Sequence, residues 1–297
     1  MSGAVMDWLG PSLRAARQIV STSAQDTAFS LTVGGSRLGD IPWETRHALV
    51  FPGAKPCIKQ EDKALVWRLQ LALPGPAETG VVKLYRRRGV GNRFRGGILP
   101  FRVQREFGAL CILADGGVPC SQPLVWGWGF APEHGCFELL VTREIPGAVS
   151  LKEYLATGDR RLRSEDFLAL FDGLRRMHER GVYHGALWPK NILLAKASEG
   201  AWEFHLIDLA RAVRFPGTLC GTAMARFDLL SLLYSLAQTN AGFDSEAMLR
   251  RYGYDAAEAR EIAAQARRYR SSRHLRNRLA LTFQLRALWA RCRIAGL

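Results

Sequence analysis

Gly181-Val182-Tyr183-His184-Gly185-Ala186-Leu187-Trp188-Pro189-Lys190-Asn191-Ile192-Leu193-Leu194 is the stretch that decides the fold. His184, Leu187 and Asn191 stand in the spacing H-x-x-L-x-x-x-N, and Asn191–Leu194 reads as a short apolar strand. Upstream, Ser164–Arg180 reads as a helix capped by Ser164, with Phe167, Leu168, Leu170, Phe171, Leu174 and Met177 on its buried face. Downstream, Phe204–Ile207 reads as a second short strand, joined to the first by a hairpin over Lys196–Trp202 and followed by Asp208. From Met224 on, the pattern is helical.

This order of parts is that of a phosphoryl-transfer loop, which in kinases reads H-x-D-L-x-x-x-N before an apolar strand. The Asp of that loop accepts the proton of the attacking hydroxyl, and the Asn holds magnesium. Here the Asp position is Ala186, which has no acceptor atom on its side chain. Loss of a general base typically costs on the order of 10²–10⁴-fold in rate, whereas nucleotide and magnesium binding do not need it.

Working outward, a strand-rich section precedes the helix. Ala64–Leu73 alternates Leu65, Trp67, Leu69, Leu71 and Leu73 with mostly polar or small neighbours, and Gly80–Tyr85 is the next strand after a Pro74-Gly75-Pro76 turn. Gln104–Ala114 reads as a helix, and Pro123–Phe130 and Cys136–Thr142 as two more strands. Leu151–Ala156 is a short helix. The expected fold is α+β: a two-lobed, protein-kinase-like fold with a small antiparallel β lobe carrying one helix and a larger helical lobe. Residues 1–50 are expected to extend from or cover the small lobe, 51–145 to form it, and 146–297 to form the large lobe. Within the first segment, Asp7–Val20 has a partial helical period, and Gly34-Gly35-Ser36-Arg37-Leu38-Gly39 reads as a turn rather than a nucleotide loop, because it lacks the full spacing.

Kinase chemistry needs charge neutralisation and positioning more than covalent steps. Four polar residues in chain order supply candidates. Lys83 is the one charge in Val81-Val82-Lys83-Leu84-Tyr85; Glu106 lies early in the following helix; Asn191 ends the loop; Asp208 follows an apolar strand. Taken singly, each has an ordinary reading: a lysine on an edge strand, a solvated glutamate, a turn asparagine and a turn aspartate.

With those residues in place, the chain resembles the lipopolysaccharide kinases that phosphorylate Kdo or heptose sugars of the bacterial inner core (the Kdo/WaaP, InaA-like group). The resemblance covers about Ala64–Ala237. It rests on Val82-Lys83-Leu84-Tyr85-Arg86, Arg105-Glu106, Thr142-Arg143-Glu144 followed by Gly147 and Ser150-Leu151, the Gly181–Leu194 loop, and Leu206-Ile207-Asp208-Leu209. It implies ATP-dependent transfer of a γ-phosphoryl group to a sugar hydroxyl. In its terms, Lys83, Glu106 and Glu144 serve ATP, Asn191 and Asp208 serve Mg²⁺, and His184, Ala186 and Asn191 form the catalytic loop. Asp228 matches the kinase helix Asp that braces this loop from below, with a plain helix N-cap as the equal alternative. About twenty residues separate Asp208 from Asp228, with no long activation segment and no A-P-E motif, so a small or lipid-linked acceptor is expected rather than a protein. No G-x-G-x-x-G precedes Lys83; Cys57–Ala64, with Glu61 and Asp62, stands there instead.

Bulk composition bounds the partners. With 48% hydrophobic and 23% charged residues, the chain is an ordinary globular protein. Its net charge of +14 favours an anionic partner. The implied partner is lipopolysaccharide core or another anionic glycolipid; no recognition-module motif supports nucleic acid, which charge alone suggests. Arginines of 86–105 form a basic patch that could hold a phosphorylated acceptor. Those from Arg267 to Arg293, with an apolar face, could lie on an anionic membrane. The six cysteines form no C-x-x-C pair, so zinc is not expected, and their scatter fits a reducing cytoplasm. Met1–Gly10 does not read as a secretory signal, and Leu229–Ala237 is too short to span a bilayer. The expected location is cytoplasmic, at the inner face of the inner membrane. Two rival readings stand beside the kinase: a nucleotide-binding pseudokinase or scaffold of envelope biogenesis, and a basic nucleic-acid-binding protein.

Overall fold

In the computed structural model, residues 18–20, 30–36, 43–53, 57–62, 64–71, 78–87, 102–157, 162–197, 200–239 and 243–269 are described. The Pro74–Pro76 turn, the whole arginine-rich 88–101 stretch and the chain beyond 269 lie outside them. The chain divides into two compact units, Met1–Gly108 with Ser121–Glu144, and Ala109–Cys120 with Ile145–Leu297.

The first unit is built on an antiparallel sheet of seven strands. In chain order these are β1 (Gln18–Val20), β2 (Ser30–Ser36), β3 (Cys57–Glu61), β4 (Ala64–Leu71), β5 (Glu78–Arg86), β6 (Pro123–Ala131) and β7 (Gly135–Arg143), with helix α1 (Trp43–Val50) between β2 and β3. In space the order is β1-β2-β6-β7-β5-β4-β3. Alternation assigns the two faces. Leu65, Trp67, Leu69 and Leu71 of β4, Val82 and Leu84 of β5, and Phe137, Leu139 and Val141 of β7 share one buried face, and Leu49 and Val50 of α1 complete that core. The opposite face carries Lys83 and Tyr85 of β5, paired with Leu140 and Glu138 of β7, and receives the start of helix α2 (Arg102–Asp115).

β1 and β2 belong to this sheet, with β1 at its edge, and α1 packs Leu49 and Val50 into its apolar core. Two expectations are corrected here. Gln18–Val20 is a strand, not the end of a helical stretch, because its backbone pairs with Leu31–Val33; residues 7–17 lie outside the described residues. Gly34–Ser36 is neither a turn nor a phosphate loop but part of β2, where the register shifts between Val33 and Gly35. Across the pair, β2 approaches β6 so closely that a Cβ on Gly127 would stand 2.7 Å from the Thr32 carbonyl oxygen, so this position takes glycine.

In the second unit, β8 (Val149–Ser150) leads into α3 (Leu151–Ala156), closed by a capping box between Ser150 and Glu153. Helix α4 (Ser164–Glu179) follows. Ser164 is its first helical residue rather than its cap; the Asp166 carboxylate accepts the Arg163 N–H at 2.7 Å and ties down the entry. The chain then forms β9 (Val182–Tyr183), the loop, a 3₁₀ turn (Pro189–Asn191), β10 (Ile192–Lys196), β11 (Trp202–Leu206) and β12 (Val213–Arg214). Asn191 thus sits in the turn before its strand, not in it. β10 pairs with β11 and β8, and β9 with β12. Helices α5 (Ala223–Ala237), α6 (Ser245–Tyr252) and α7 (Ala256–Arg268) complete the described chain. α5 is apolar nearly all round because it is the helix the others enclose: Leu229, Leu232, Leu233 and Leu236 are each no more than 1% exposed. Among the described residues, no helix is long and apolar enough to cross a membrane.

Leu49 is 1% exposed against the sheet. Leu49→Ala is expected to destabilise the first unit by about 2–5 kcal/mol, read as a lower denaturant midpoint.

Candidate active site

The candidate residues fall into two groups, one in each unit. In the first, β5 lies between β7 and β4, so Lys83 is on an interior strand and not on an edge. Its Nζ stands 2.9 Å from Glu106 Oε1, with the two side chains 16% and 0% exposed. Glu106 is therefore not a solvated helix residue. Its other oxygen, Oε2, is buried with no hydrogen-bond partner in the described structure. A buried pair of this kind gains little net stability, because desolvation offsets most of the Coulomb attraction; removing one partner is the costly change. Glu144 follows β7. Its N–H donates to the Thr79 carbonyl at 2.8 Å, and its carboxylate is paired with Arg68 Nε.

The second group is organised by Asp228. Its carboxylate, on the second turn of α5, is 2% exposed. Oδ2 accepts the His184 N–H at 2.7 Å and Oδ1 the Gly185 N–H at 3.0 Å. The helix N-cap is Thr222, so Asp228 braces the loop and is not a cap. Gly185 makes this turn at φ +72°, where a Cβ would also meet the Arg211 carbonyl oxygen at 2.9 Å. His184 is wholly buried, and burial pushes its imidazole below the ordinary value against the opposing pull of Asp228 and Asp208.

Asn191 Nδ2 donates to the Ala186 carbonyl at 2.8 Å. The bond goes to backbone, so it forms although residue 186 has lost its carboxylate. With Nδ2 committed, Oδ1 is the atom left to face a cation. The Ile207 N–H donates to the Asn191 carbonyl at 3.0 Å, continuing the β10–β11 register and setting Asp208 at the same end of the hairpin as Asn191. Asp208 has φ +57°, the one non-glycine residue with positive φ among the described residues. Such a backbone costs of order 1–3 kcal/mol and recurs where a side chain must be aimed. An Asn oxygen and an aspartate at one hairpin end are hard oxygen ligands, the type that suits magnesium when phosphates and waters complete its shell. No group of three or more His, Cys, Asp or Glu converges on a metal position among the described residues. His134 Nε2 contacts the Val50 carbonyl oxygen at 3.0 Å.

Sequence reading missed three contributors. Glu138 is a lone acid inside an apolar strand, and it is buried against arginines. His178 of α4 and Tyr252 of α6 stand behind Asp228: His178 Nε2 is 3.3 Å from Asp228 Oδ2, and His178 Nδ1 is 2.7 Å from the Tyr252 hydroxyl. Burial raises the Tyr252 phenol well above its usual value, so it remains a donor. With the Nε2–H donating to Asp228, Nδ1 is the ring acceptor for the Tyr252 hydroxyl, whose other acceptor is Cys220 Sγ at 3.6 Å. The first of these signals, a charge in a strand, was visible; the second joins residues 74 apart and left no local pattern.

Three antiparallel sheets, one polar helix–strand ion pair and a braced H-x-x-L-x-x-x-N loop define a protein-kinase-like fold. A solved structure, "WaaP in complex with acyl carrier protein", shares it with a TM-score of 0.52 at 19% identity, over 80% of this chain and 91% of that chain. No curated protein sequence matches the chain. Residues 73–252, more than half of the chain, match the Lipopolysaccharide kinase (Kdo/WaaP) family, and the chain belongs to that family. Its function is accordingly kinase-like.

Asp228→Asn would turn an N–H₂ toward one of the two loop amides. Amide exchange at His184 and Gly185 is expected to rise roughly 10–100-fold, as for loss of a charged hydrogen bond. Because the His184 pKa is lowered on folding, the folded state binds fewer protons than the unfolded one. Stability is then complete above the unfolded value near ~6.5 and falls as pH drops below it, by at most ~1.4 kcal/mol per pH unit. Urea titrations between neutral pH and mild acid should show this slope, and His184→Leu should flatten it.

Proposed function

We propose that this chain is an ATP-dependent kinase of an anionic lipopolysaccharide core sugar, working without a protein general base at residue 186. The observation that carries this reading is the Lys83–Glu106 pair at 2.9 Å, a buried charge arrangement that stability alone does not account for. Lys83 binds nucleotide phosphates, Glu106 orients Lys83, and Asn191 and Asp208 hold magnesium. Glu144 lies in the hinge position that the family resemblance gives to nucleotide binding. When bound, magnesium–ATP would supply the phosphoryl group and neutralise its charge. The protein residues position the reactants, and a loose transition state needs little deprotonation of the acceptor beforehand.

The acceptor reading is supported by the short path from Asp208 to α5, which holds only β12 and turns. A cavity of ≈ 390 Å³ beside the loop is lined by Trp188, Lys190, Lys152 and Tyr234 among others. Aromatic faces with two ammonium groups are chemistry suited to a sugar bearing phosphate or carboxylate. Such an acceptor places the protein at the cytoplasmic face of the inner membrane, where ATP is available. The second reading, a nucleotide-binding pseudokinase of envelope biogenesis, is favoured by Ala186 itself.

The test is transfer of labelled γ-phosphate from Mg-ATP to purified lipopolysaccharide core. The wild type should transfer slowly, Asp208→Asn not at all, and Ala186→Asp roughly 10²–10⁴-fold faster than wild type. ATP binding without transfer in all three proteins would replace the kinase by the pseudokinase.

A further inference from the structure

One edge of the three-stranded sheet in the second unit is open. Its order is β11-β10-β8, so β11 has a strand neighbour on one side only. In the register with β10, the Ile207 N–H donates to the Asn191 carbonyl and the Ala197 N–H to the Ala201 carbonyl, so the odd-numbered residues of β11 carry the hydrogen-bonded pairs. The N–H and C=O groups of Trp202, Phe204 and Leu206 therefore point off the open edge. Leu206 uses its N–H there, donating to the Pro119 carbonyl at 3.0 Å in an isolated parallel bridge between Leu206 and Cys120. The bridge cannot continue to Phe204. Pro119 has no N–H to give to the Phe204 carbonyl, the Val118 N–H turns back to the Leu113 carbonyl at 2.9 Å, and the Gly117 carbonyl is taken by Arg176. Phe204 is a buried residue, yet among the described residues nothing bonds to its outward N–H or C=O.

A cavity of ≈ 340 Å³ lies along this edge. Trp202–Leu206 form one wall and Ala169, Leu170, Gly173 and Leu174 of α4 the other, while Val118 and Pro119 stand across the Leu206 end. Apolar walls with a few placed polar groups are the usual build of a binding cleft of this volume. Gly173 is buried in mid-helix, and a Cβ on it would meet nothing within 4 Å. Glycine weakens a helix interior, and no neighbour requires it here; its effect is to keep the cleft wide. Arg176, on the next turn of α4, lines the cleft at its Pro119 end, where Nη1 donates to the Gly117 carbonyl at 2.9 Å. No carboxylate pairs with it among the described residues. The other ionisable groups of the lining are on β11: His205 Nε2 stands 3.2 Å from Glu203 Oε2. Burial holds the imidazole below its ordinary value, and the Glu203 side chain is 52% exposed and faces water.

We propose that this cleft binds the C-terminal residues of a polypeptide chain in extended form, paired to β11 at Trp202 and Phe204, with the terminal carboxylate on Arg176. A second backbone offers N–H and C=O groups at the two-residue repeat with which Trp202 and Phe204 present theirs. Pro119 and Val118 block the edge beyond Phe204, so a chain lying along it ends there, beside the guanidinium. A guanidinium fork matches a carboxylate in two-pronged geometry, and this charge complement selects a chain end over an apolar ligand of the same volume. The inference goes beyond the kinase reading, because Lys83, Asn191 and Asp208 take no part in it.

The experiment uses the isotope-labelled full chain and the N-acetylated pentapeptide Val-Thr-Val-Thr-Val, once as the free acid and once as the C-terminal amide. Kd is read from the amide shifts of Trp202 and Phe204, together with hydrogen exchange at the same two groups. The free acid is expected to slow both exchange rates and to bind roughly tenfold or more tighter than the amide, as for a charged hydrogen bond. Arg176→Gln, at an exposed position, should bring the two peptides to one Kd. Gly173→Leu, whose side chain fills the cleft, should abolish binding of both peptides without lowering the unfolding midpoint, since leucine is the better helix former. The proposal is overturned if neither amide gains protection, which is the result for an edge satisfied by water. It is equally overturned if the two peptides bind the wild type alike, or if the folded Gly173→Leu protein binds as the wild type does.

Discussion

The buried carboxylate of Asp228 is the constraint on which the second unit depends. It gathers two successive backbone N–H groups, His184 and Gly185, that have no strand or helix to satisfy them, and it does so 2% exposed. An unpaired backbone donor at that depth would cost about 1–3 kcal/mol. The chain can therefore leave β9, turn at Gly185 and run polar residues through the interior only because a helix more than forty residues later presents an acid at the right height. His178 and Tyr252 extend the same polar chain into α4 and α6, so three helices are registered against one loop.

The first unit solves a different problem. A strand that must carry a lysine into a dry setting needs a second charge to meet it, and α2 supplies Glu106. The sheet tolerates this polar face because its other face carries the apolar core, to which α1 contributes Leu49 and Val50. The two faces of β5 thus divide labour: Val82 and Leu84 hold the fold, while Lys83, Tyr85 and Arg87 meet charge and aromatic surface.

Much of this was legible in the sequence because it is local. The H-x-x-L-x-x-x-N spacing, the alternation of β4 and the apolar period of α4 each span only a few residues, and the structure places the corresponding elements within one or two residues of the expected ends. What was not legible is non-local. β1 is a strand only because residues 31–33 lie beside it. β9 and β12 are two residues each, too short to leave a period. Tyr252 reads as an ordinary apolar-face residue of α6 until His178 is seen beneath it. Glu138 was the exception: a single acid in an apolar strand carried a signal, and reading the strand for alternation alone passed over it.

The bond from Asn191 to residue 186 ends on a carbonyl oxygen. Every residue has that oxygen, so the loop's architecture is blind to which side chain stands at 186. An exchange of the side chain at 186 leaves that acceptor in place.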